Sequence, residues 1–159
     1  MPNVLLVCTA NRCRSPMAMA ILRQLLANDG PTPWQVESAG TWTRDGLPAM
    51  PHAQTVMAEI GLDIRHHLSR AITGDIVTRQ QLILVMESGH REALVMEFPD
   101  HADRIALLSA MAGPAFDIQD PVAGTLDDYR TTAQHLQSLL TQGLPTIRQR
   151  AQSHIAQSE

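Results

Sequence analysis

Four short segments of the chain, residues 4–7, 34–39, 82–86 and 105–108, have the length and residue pattern of β-strands. The third segment is apolar at every position, which is typical of a strand covered on both faces. Segments in which apolar residues recur with helical spacing lie between the strands. This alternation indicates an α/β architecture with a parallel sheet.

Apolar residues three and four positions apart predict helices over residues 17–26, 56–60, 88–96 and 136–147. Pro145 lies inside the last of these, so that helix is expected to kink or break near Gly143. The polar tail beyond Gln149 is expected to fray. Since no linker, repeat or low-complexity tract interrupts the pattern, residues 1–159 are predicted to form a single domain.

The segment after the first predicted strand carries the most informative chemistry. It contains Cys8 and Arg14, and Ser15-Pro16 has the pattern of a helix N-cap followed by the first helical residue. A helix N-terminus offers unpaired N–H groups and a partial positive charge, so a loop in front of it suits a phosphate-like anion. These surroundings favour the nucleophilic thiolate form of Cys8. The planar guanidinium of Arg14 is able to hold two oxygens of the anion.

The spacing Cys-x5-Arg-Ser at residues 8–15 resembles the signature loop of the low-molecular-weight protein tyrosine phosphatases. The resemblance implies a single-domain, doubly wound sheet of four parallel strands flanked by helices, with the phosphate-binding loop after strand 1. It also implies a phosphomonoester hydrolase, first of all a protein-tyrosine phosphatase, that works in two steps through a phosphorylated Cys8. For Cys8 taken alone, a small buried hydrophobe at a strand end is the alternative interpretation.

A phosphatase also needs an acid on the leaving-group side of the anion. The family carries this acid in an Asp-Pro pair before the last helix, which corresponds to Asp120-Pro121. The resemblance therefore implies that Asp120 is the general acid and, in the second step, the general base. Asp117 is a rival for the role, and simple turn formation is the alternative for the pair.

Further contacts with the substrate are implied for residues of the loop and of the cleft walls, namely Thr9, Ala10, Asn11, Arg12, Cys13, Trp42 and Val122. The family often has an aromatic residue where this chain has Val122, and Trp42 could supply the missing ring or be a packed loop residue. Arg12 could attract acidic or multiply phosphorylated substrates, or it could be a solvated surface residue.

Supporting roles follow from the same resemblance. Ser15 is expected to donate a hydrogen bond to the Cys8 thiolate, in addition to or instead of capping the helix. Asn11 is expected to hold the loop in shape through bonds to Ser38 and His67, and an Asn tolerates left-handed backbone angles. Cys13 could form a reversible disulfide with the nucleophile, or it could simply pack beneath the loop.

Three alternative functions share this loop. Dephosphorylation of phosphoarginine stays open. By resemblance, tyrosine-directed relatives commonly have an aliphatic residue at the position of Arg12 and arginine-phosphate-directed relatives a threonine, and Val122 is not the aromatic residue that the family often has. Arsenate reduction is disfavoured, because the thioredoxin-coupled enzymes need further cysteines after the third strand and residues 86–90 contain none. A module that only binds phosphoproteins would have no need of both Cys8 and Asp120.

The composition limits the class of protein and the cellular compartment that the sequence allows. Hydrophobic residues make up 44% and charged residues 18% of the chain, as in a globular protein, and a net charge of −4 gives no support for nucleic-acid binding. No apolar stretch approaches the ~20 residues of a membrane span, and no signal peptide is recognised. Two cysteines then point to a reducing compartment, so the cytoplasm is predicted. No cofactor or metal is predicted, the expected partner is a phosphorylated protein or small phosphomonoester, and the oligomeric state stays open.

Overall fold

The computed structural model describes residues 1–158 and contains one parallel four-stranded sheet. Its strands are β1 Asn3–Cys8, β2 Gln35–Gly40, β3 Leu82–Val85 and β4 Ile105–Leu107. The spatial order is β2-β1-β3-β4, and every pair is parallel. The four predicted strands and the parallel sheet are confirmed.

Five α-helices flank the sheet: α1 Arg14–Asn28, α2 Pro51–Glu59, α3 Gly74–Thr78, α4 Ser88–Glu97 and α5 Leu126–Ser158. Two short 3₁₀ segments, Pro99–Arg104 and Leu108–Met111, precede and follow β4. Four of the five helices overlap the predicted ones, and α3 and the 3₁₀ segments were not predicted. Within residues 1–158, no helix is long and apolar enough to cross a membrane.

Both faces of the sheet are covered, because alternate side chains of each strand enter different cores. On one face, Leu6 and Leu84 pack with residues of α1, α2 and α5. On the other face, Val7 and Val85 pack with residues of α3 and α4. A strand buried on both sides has no polar positions, which explains the uniformly apolar β3. The doubly wound architecture is thus confirmed.

The carboxyl end of β1 lies at the point where the strand order reverses. Cys8 at the end of β1 pairs with Gly40 at the end of β2, and Val7 pairs with Val85 at the end of β3. The chain passes from β1 to β2 on one side and later to β3 on the other. Such a switch point opens a crevice above the strand ends, where ligands of this architecture bind.

Helix α5 is continuous through Gly143 and Pro145, so a break there is wrong, and the alternative, a kink, stays a prediction. The ring removes the N–H that would bond to the carbonyl of Thr141, at a point where both Thr141 and Pro145 are exposed. Ile147 and Ala151 are fully buried against the core and hold the later turns in place. The helix continues to Ser158, and the fraying expected beyond Gln149 stays a prediction.

Gly40 allows the loop after β1 to approach β2 closely. A Cβ atom at this position would lie 2.6 Å from the carbonyl oxygen of Thr9. Gly40→Ala is therefore expected to lower the free energy of unfolding by about 1–3 kcal/mol, because the backbone must shift to remove the clash. Urea denaturation followed by circular dichroism measures this effect.

Gly89→Ala is the matched control for this prediction. Gly89 lies in α4, and an added Cβ there meets nothing within 4 Å. Its replacement should leave the stability unchanged or raise it by up to about 1 kcal/mol, because alanine favours the helix. Equal stability of the two variants would contradict the close approach at Gly40.

Candidate active site

The loop between β1 and α1 is shaped by Asn11, which has a left-handed φ of 56°. Its amide Nδ2 donates to Ser15 Oγ at 2.8 Å, and its Oδ1 accepts from the backbone N–H of Arg70 at 3.0 Å. Its carbonyl oxygen lies 2.8 Å from Nε2 of His67. Since a carbonyl only accepts, His67 donates here. The loop is thereby fixed from the side of the segment between α2 and α3.

The expected contact between Asn11 and His67 is present, but the expected bond from Asn11 to Ser38 is replaced by the one to Arg70. Ser38 lies buried in β2, and its carbonyl accepts from Nε of Arg70 at 3.1 Å. Ser38 therefore supports the loop through Arg70. Burial and the charges of Arg23 and Arg70 lower the pKa of His67, although its bond to Asn11 acts in the opposite direction.

The thiol of Cys8 faces the hydroxyl of Ser15, with Sγ and Oγ 3.0 Å apart. Both side chains are buried. Because Ser15 Oγ already accepts from Asn11, its own proton is free to point at the sulfur. In this position the hydroxyl is able to donate a hydrogen bond to the sulfur of Cys8.

The sequence prediction of Ser15 as the helix N-cap is wrong. Helix α1 begins at Arg14, and its N-cap position is held by Cys13 without a side-chain capping bond. The Ser15 side chain turns back into the loop instead of capping the helix. Its hydroxyl contacts Cys8, the partner that the resemblance implies, and also Asn11, which was not predicted as a partner of Ser15.

Arg14 is the most deeply buried charged group of the site, with a side chain that is only 1% exposed. Its Nη1 donates to Glu87 Oε2 at 2.8 Å and to the carbonyl of Ile118 at 2.7 Å, and its Nη2 lies 3.3 Å from Asp120 Oδ2. Its Nε is also buried, and no acceptor among the described residues meets it. An unpaired buried donor is unfavourable, so this N–H is available to an anion above the loop.

Asp120 and Asp117 have different surroundings. The Asp120 side chain is 38% exposed, accepts from the N–H of Val122 at 3.1 Å and contacts Arg14. Asp117 instead accepts from the backbone N–H of Ser88 at 2.8 Å and from its hydroxyl at 3.3 Å, at the start of α4. Asp117 therefore anchors the segment, and Asp120 is the carboxylate that faces Arg14.

A small cavity of about 60 Å³ lies above the loop and brings most of the predicted residues together. Its lining consists of Cys8, Ala10, Arg12, Cys13, Arg14, Met50, Asp120 and Val122. Larger cavities lie elsewhere, including one of about 640 Å³ beside His67. The small cavity is the one that holds a thiol, a guanidinium and a carboxylate, so its chemistry identifies it as the candidate active site.

Three predicted substrate residues differ in how they relate to this cavity. Arg12 lines it, and its Nε donates to the carbonyl of Pro48 at 2.8 Å, which fixes the guanidinium at the rim. Thr9 turns its hydroxyl away toward Nε2 of His90 at 2.8 Å. Trp42 is 83% exposed and does not line the cavity; only its backbone N–H reaches the loop, at the carbonyl of Thr9. Trp42 is therefore not a packed loop residue.

Cys13 and Cys8 are both free thiols. Sγ of Cys13 lies 3.4 Å from the hydroxyl of Tyr129, beneath the loop. Burial raises the pKa of Cys13 to about 11, and the contact with Tyr129 opposes the shift only in part. At neutral pH, Cys13 is a neutral thiol and does not compete with Cys8 as a nucleophile. A disulfide between the two stays a prediction.

Sequence reasoning missed several residues that hold the site together, namely Glu87, His90, Tyr129, Met50 and Arg70. Glu87 could have been found, because it follows β3 by two residues and the ends of β1 and β3 are neighbours. The other four depend on long-range packing that no local pattern shows.

Within residues 1–158, no three His, Cys, Asp or Glu side chains are grouped so that they could hold a metal ion.

Comparison with solved structures places the chain in a class of enzyme. A low molecular weight protein tyrosine phosphatase from T. tengcongensis superposes with a TM-score of 0.87 and 33% identity, over 92% of this chain and 99% of that one. The fold and the loop after β1 are thus those of a cysteine-dependent phosphatase. A family model described as low molecular weight phosphotyrosine protein phosphatase matches residues 3–153. The chain belongs to this family.

Relatives within the family carry two different activities in their names. A probable low molecular weight protein-tyrosine-phosphatase of Ralstonia nicotianae is 37% identical over 146 residues, which cover 92% of this chain and 96% of that protein. A protein-arginine-phosphatase of Geobacillus stearothermophilus is 35% identical over 139 residues, which cover 87% of this chain and 90% of that protein. Family membership alone therefore leaves two substrate classes.

The raised pKa of Cys13 leads to a test by alkylation. In the Cys8→Ser variant, iodoacetamide should modify Cys13 very slowly at about pH 8 and faster as the pH approaches about 11, because only the thiolate reacts and the thiol is buried. Mass spectrometry measures the modified fraction. The same variant unfolded in urea is the control and should react readily at about pH 9. Native Cys13 that reacts at about pH 8 as fast as a free thiol would contradict this assignment.

Proposed function

We propose that the protein hydrolyses phosphotyrosine in proteins through a phosphocysteine intermediate on Cys8. The observation that carries this proposal is the guanidinium of Arg14. Its Nη atoms are engaged by Glu87, Ile118 and Asp120, whereas its buried Nε has no acceptor among the described residues. A bound phosphoryl oxygen would satisfy that donor within the cavity that also contains the Cys8 thiol.

In the first step, the Cys8 thiolate attacks phosphorus. The S–P bond forms while the bond from phosphorus to the tyrosyl oxygen breaks, and Asp120 gives its proton to that oxygen so that tyrosine leaves neutral. Arg14 and the N–H groups of the loop hold the equatorial oxygens, whose charge they stabilise most strongly in the transition state. The loop from Thr9 to Cys13 supplies these N–H groups.

In the second step, Asp120 takes a proton from water, and the water oxygen attacks phosphorus. The S–P bond breaks, inorganic phosphate leaves, and the electron pair returns to Cys8 as a thiolate. The hydroxyl of Ser15, 3.0 Å from Sγ, stabilises this leaving group. Asp120 ends the cycle protonated and ready for the next substrate.

The walls of the cavity favour tyrosine over arginine as the leaving group. Arg12 is fixed at the rim by its bond to Pro48. The leaving group of phosphoarginine is a second guanidinium, which Arg12 repels, whereas a phenol carries no such charge.

Phosphoarginine is the second candidate substrate, supported by two observations. The relative from Geobacillus stearothermophilus at 35% identity is named a protein-arginine-phosphatase. In this chain the wall beside Asp120 is formed by Val122, which offers no ring to an aryl group.

We also infer a cytoplasmic setting and a phosphorylated protein as the natural partner. The setting is supported by the two free thiols, since the mechanism requires a reduced Cys8. Small phosphomonoesters should serve as well, because the contacts that the mechanism uses are to the phosphoryl group itself.

The mechanism is tested with three variants and para-nitrophenyl phosphate. Cys8→Ser should release no phosphate, because the alcohol is a far weaker nucleophile, and Asp120→Ala should lower kcat by about 10²- to 10⁴-fold. Asp117→Ala is the matched control and should change kcat only by a few-fold, because Asp117 bonds to Ser88 and not to Arg14. A wild-type sample quenched in acid during turnover should contain a phosphorylated Cys8 peptide, detected by mass spectrometry. A large loss in Asp117→Ala alone would transfer the acid role to Asp117.

The substrate class is tested with matched phosphotyrosine and phosphoarginine peptides. The wild type should have the higher kcat/KM for phosphotyrosine, and Arg12→Leu should narrow the difference by about tenfold, because removal of a nearby like charge is worth roughly 1.4 kcal/mol. Arg65→Leu, at an exposed arginine that pairs with Asp63, is the control and should leave the ratio unchanged. A wild-type preference for phosphoarginine would reverse the assignment.

A further inference from the structure

His90 is a buried titratable residue for which the mechanism above has no use. It is the third residue of α4, and its Nδ1 accepts a hydrogen bond from the backbone N–H of Glu87 at 3.2 Å. Its Nε2 lies 2.8 Å from the hydroxyl oxygen of Thr9 in the loop. Because Nδ1 accepts, a neutral His90 carries its proton on Nε2 and donates it to Thr9.

Glu87 connects this histidine to the phosphate-binding arginine. Its side chain accepts from the backbone N–H of His90, which completes a reciprocal capping box at the start of α4. Its Oε2 also accepts from Arg14 at 2.8 Å and lies 3.6 Å from Nε2 of His90. A single carboxylate therefore lies between Arg14 and His90, and both contacts depend on its position.

We propose that His90, as the neutral Nε2–H tautomer, is a positioning residue. It keeps Arg14 and the loop between β1 and α1 correctly placed relative to each other. One ring nitrogen holds the turn that carries Glu87, and the other holds Thr9. Thr9 and Glu87 follow different strands, β1 and β3, so the imidazole bridges the two strand ends on either side of the bound anion. This inference rests on the proposed phosphatase function.

Protonation of His90 would undo this arrangement. The second proton would occupy Nδ1. Two donors, Nδ1–H of His90 and the backbone N–H of Glu87, would then face each other. The imidazolium would also draw the Glu87 carboxylate away from Arg14. Burial, followed by the charge of Arg14 on α1, lowers the pKa of His90 below its ordinary value, while Glu87 before α4 and Asp117 and Asp120 in the loop before α5 oppose the shift. The neutral form is therefore maintained to a lower pH than in a free histidine.

Two substitutions distinguish a positioning role of the His90 hydrogen bonds from a role in which the side chain merely fills space. His90→Gln keeps an acceptor for the N–H of Glu87 and a donor for Thr9, since glutamine is a natural partner at this position of a capping box, but it does not titrate. At about pH 7, it should retain kcat/KM within about threefold. His90→Ala should lose about 10- to 100-fold, as expected when catalytic groups shift by up to ~1 Å.

The pH dependence gives the specific signature. In the ratio of wild-type to His90→Gln kcat/KM, the effects of the ionisation of the substrate, of Cys8 and of Asp120 cancel, because both proteins share these groups. The ratio should be constant above about pH 6.5 and fall at lower pH, where only the wild type acquires the imidazolium. His66→Gln, at an exposed histidine, is the control, and its ratio to the wild type should stay flat. A ratio for His90→Gln that stays flat across the pH range in which NMR shows His90 to become protonated would overturn the proposal.

Two NMR measurements that need no turnover test this inference separately from the proposed function. NMR titration should give a Kd for inorganic phosphate that is about tenfold weaker in His90→Ala and within about twofold of the wild type in His90→Gln. The ¹H–¹⁵N spectrum of the histidine rings should show the proton of His90 on Nε2. A proton on Nδ1, or equal phosphate affinity in the wild type and His90→Ala, would overturn the positioning role. If these results hold but no phosphomonoester is turned over, the proposed function fails and the positioning role stands.

Discussion

A charged guanidinium buried at the carboxyl edge of the sheet is the constraint around which the rest of the site is built. Burying a cation is strongly unfavourable unless acceptors surround it, and Arg14 is almost wholly enclosed. Its acceptors come from Glu87 after β3 and from Ile118 and Asp120 before α5. Elements more than 70 positions apart in sequence are thereby held against the start of α1. The same requirement brings the Asp120 carboxylate to the cavity that Cys8 also lines, so the burial of one charge helps to arrange the other groups of the site.

The loop that carries the thiol is supported from two opposite flanks. On the β2 side, His67 and Arg70 bond to Asn11 and hold its left-handed backbone. On the β3 side, His90 bonds to Thr9. In the proposed mechanism the N–H groups of this loop hold the phosphoryl oxygens, and N–H groups that converge on one anion repel one another in its absence, because their dipoles are parallel. Support from both flanks keeps this conformation, so that binding of an anion does not have to order the loop.

The sequence predicted the elements and the reactive groups better than it predicted how they are held. The strands and the Cys8 loop follow from local patterns, since apolar runs and the residue types of an anion site are short-range signals. The continuity of α5 through Pro145 was not predictable, because it depends on the burial of later turns against a distant core. Ser15 looked like a cap because the pattern gives the residue type and not the direction of its side chain. The partners of Arg14, Thr9 and Cys13 lie more than 70 positions away, and pairings of that range leave no local signature.

The segment that carries Asp120 is attached to three other parts of the fold by hydrogen bonds of its backbone. The N–H of Ile118 bonds to Met86, its carbonyl bonds to Arg14, and the carbonyl of Val122 accepts from the hydroxyl of Tyr129 on α5. A backbone tied in this way does not swing open and shut like a lid. For the proton transfer proposed for Asp120, the moving part is then the side chain itself, and side-chain rotation is a nanosecond event, far faster than the microsecond-to-millisecond closure of a lid.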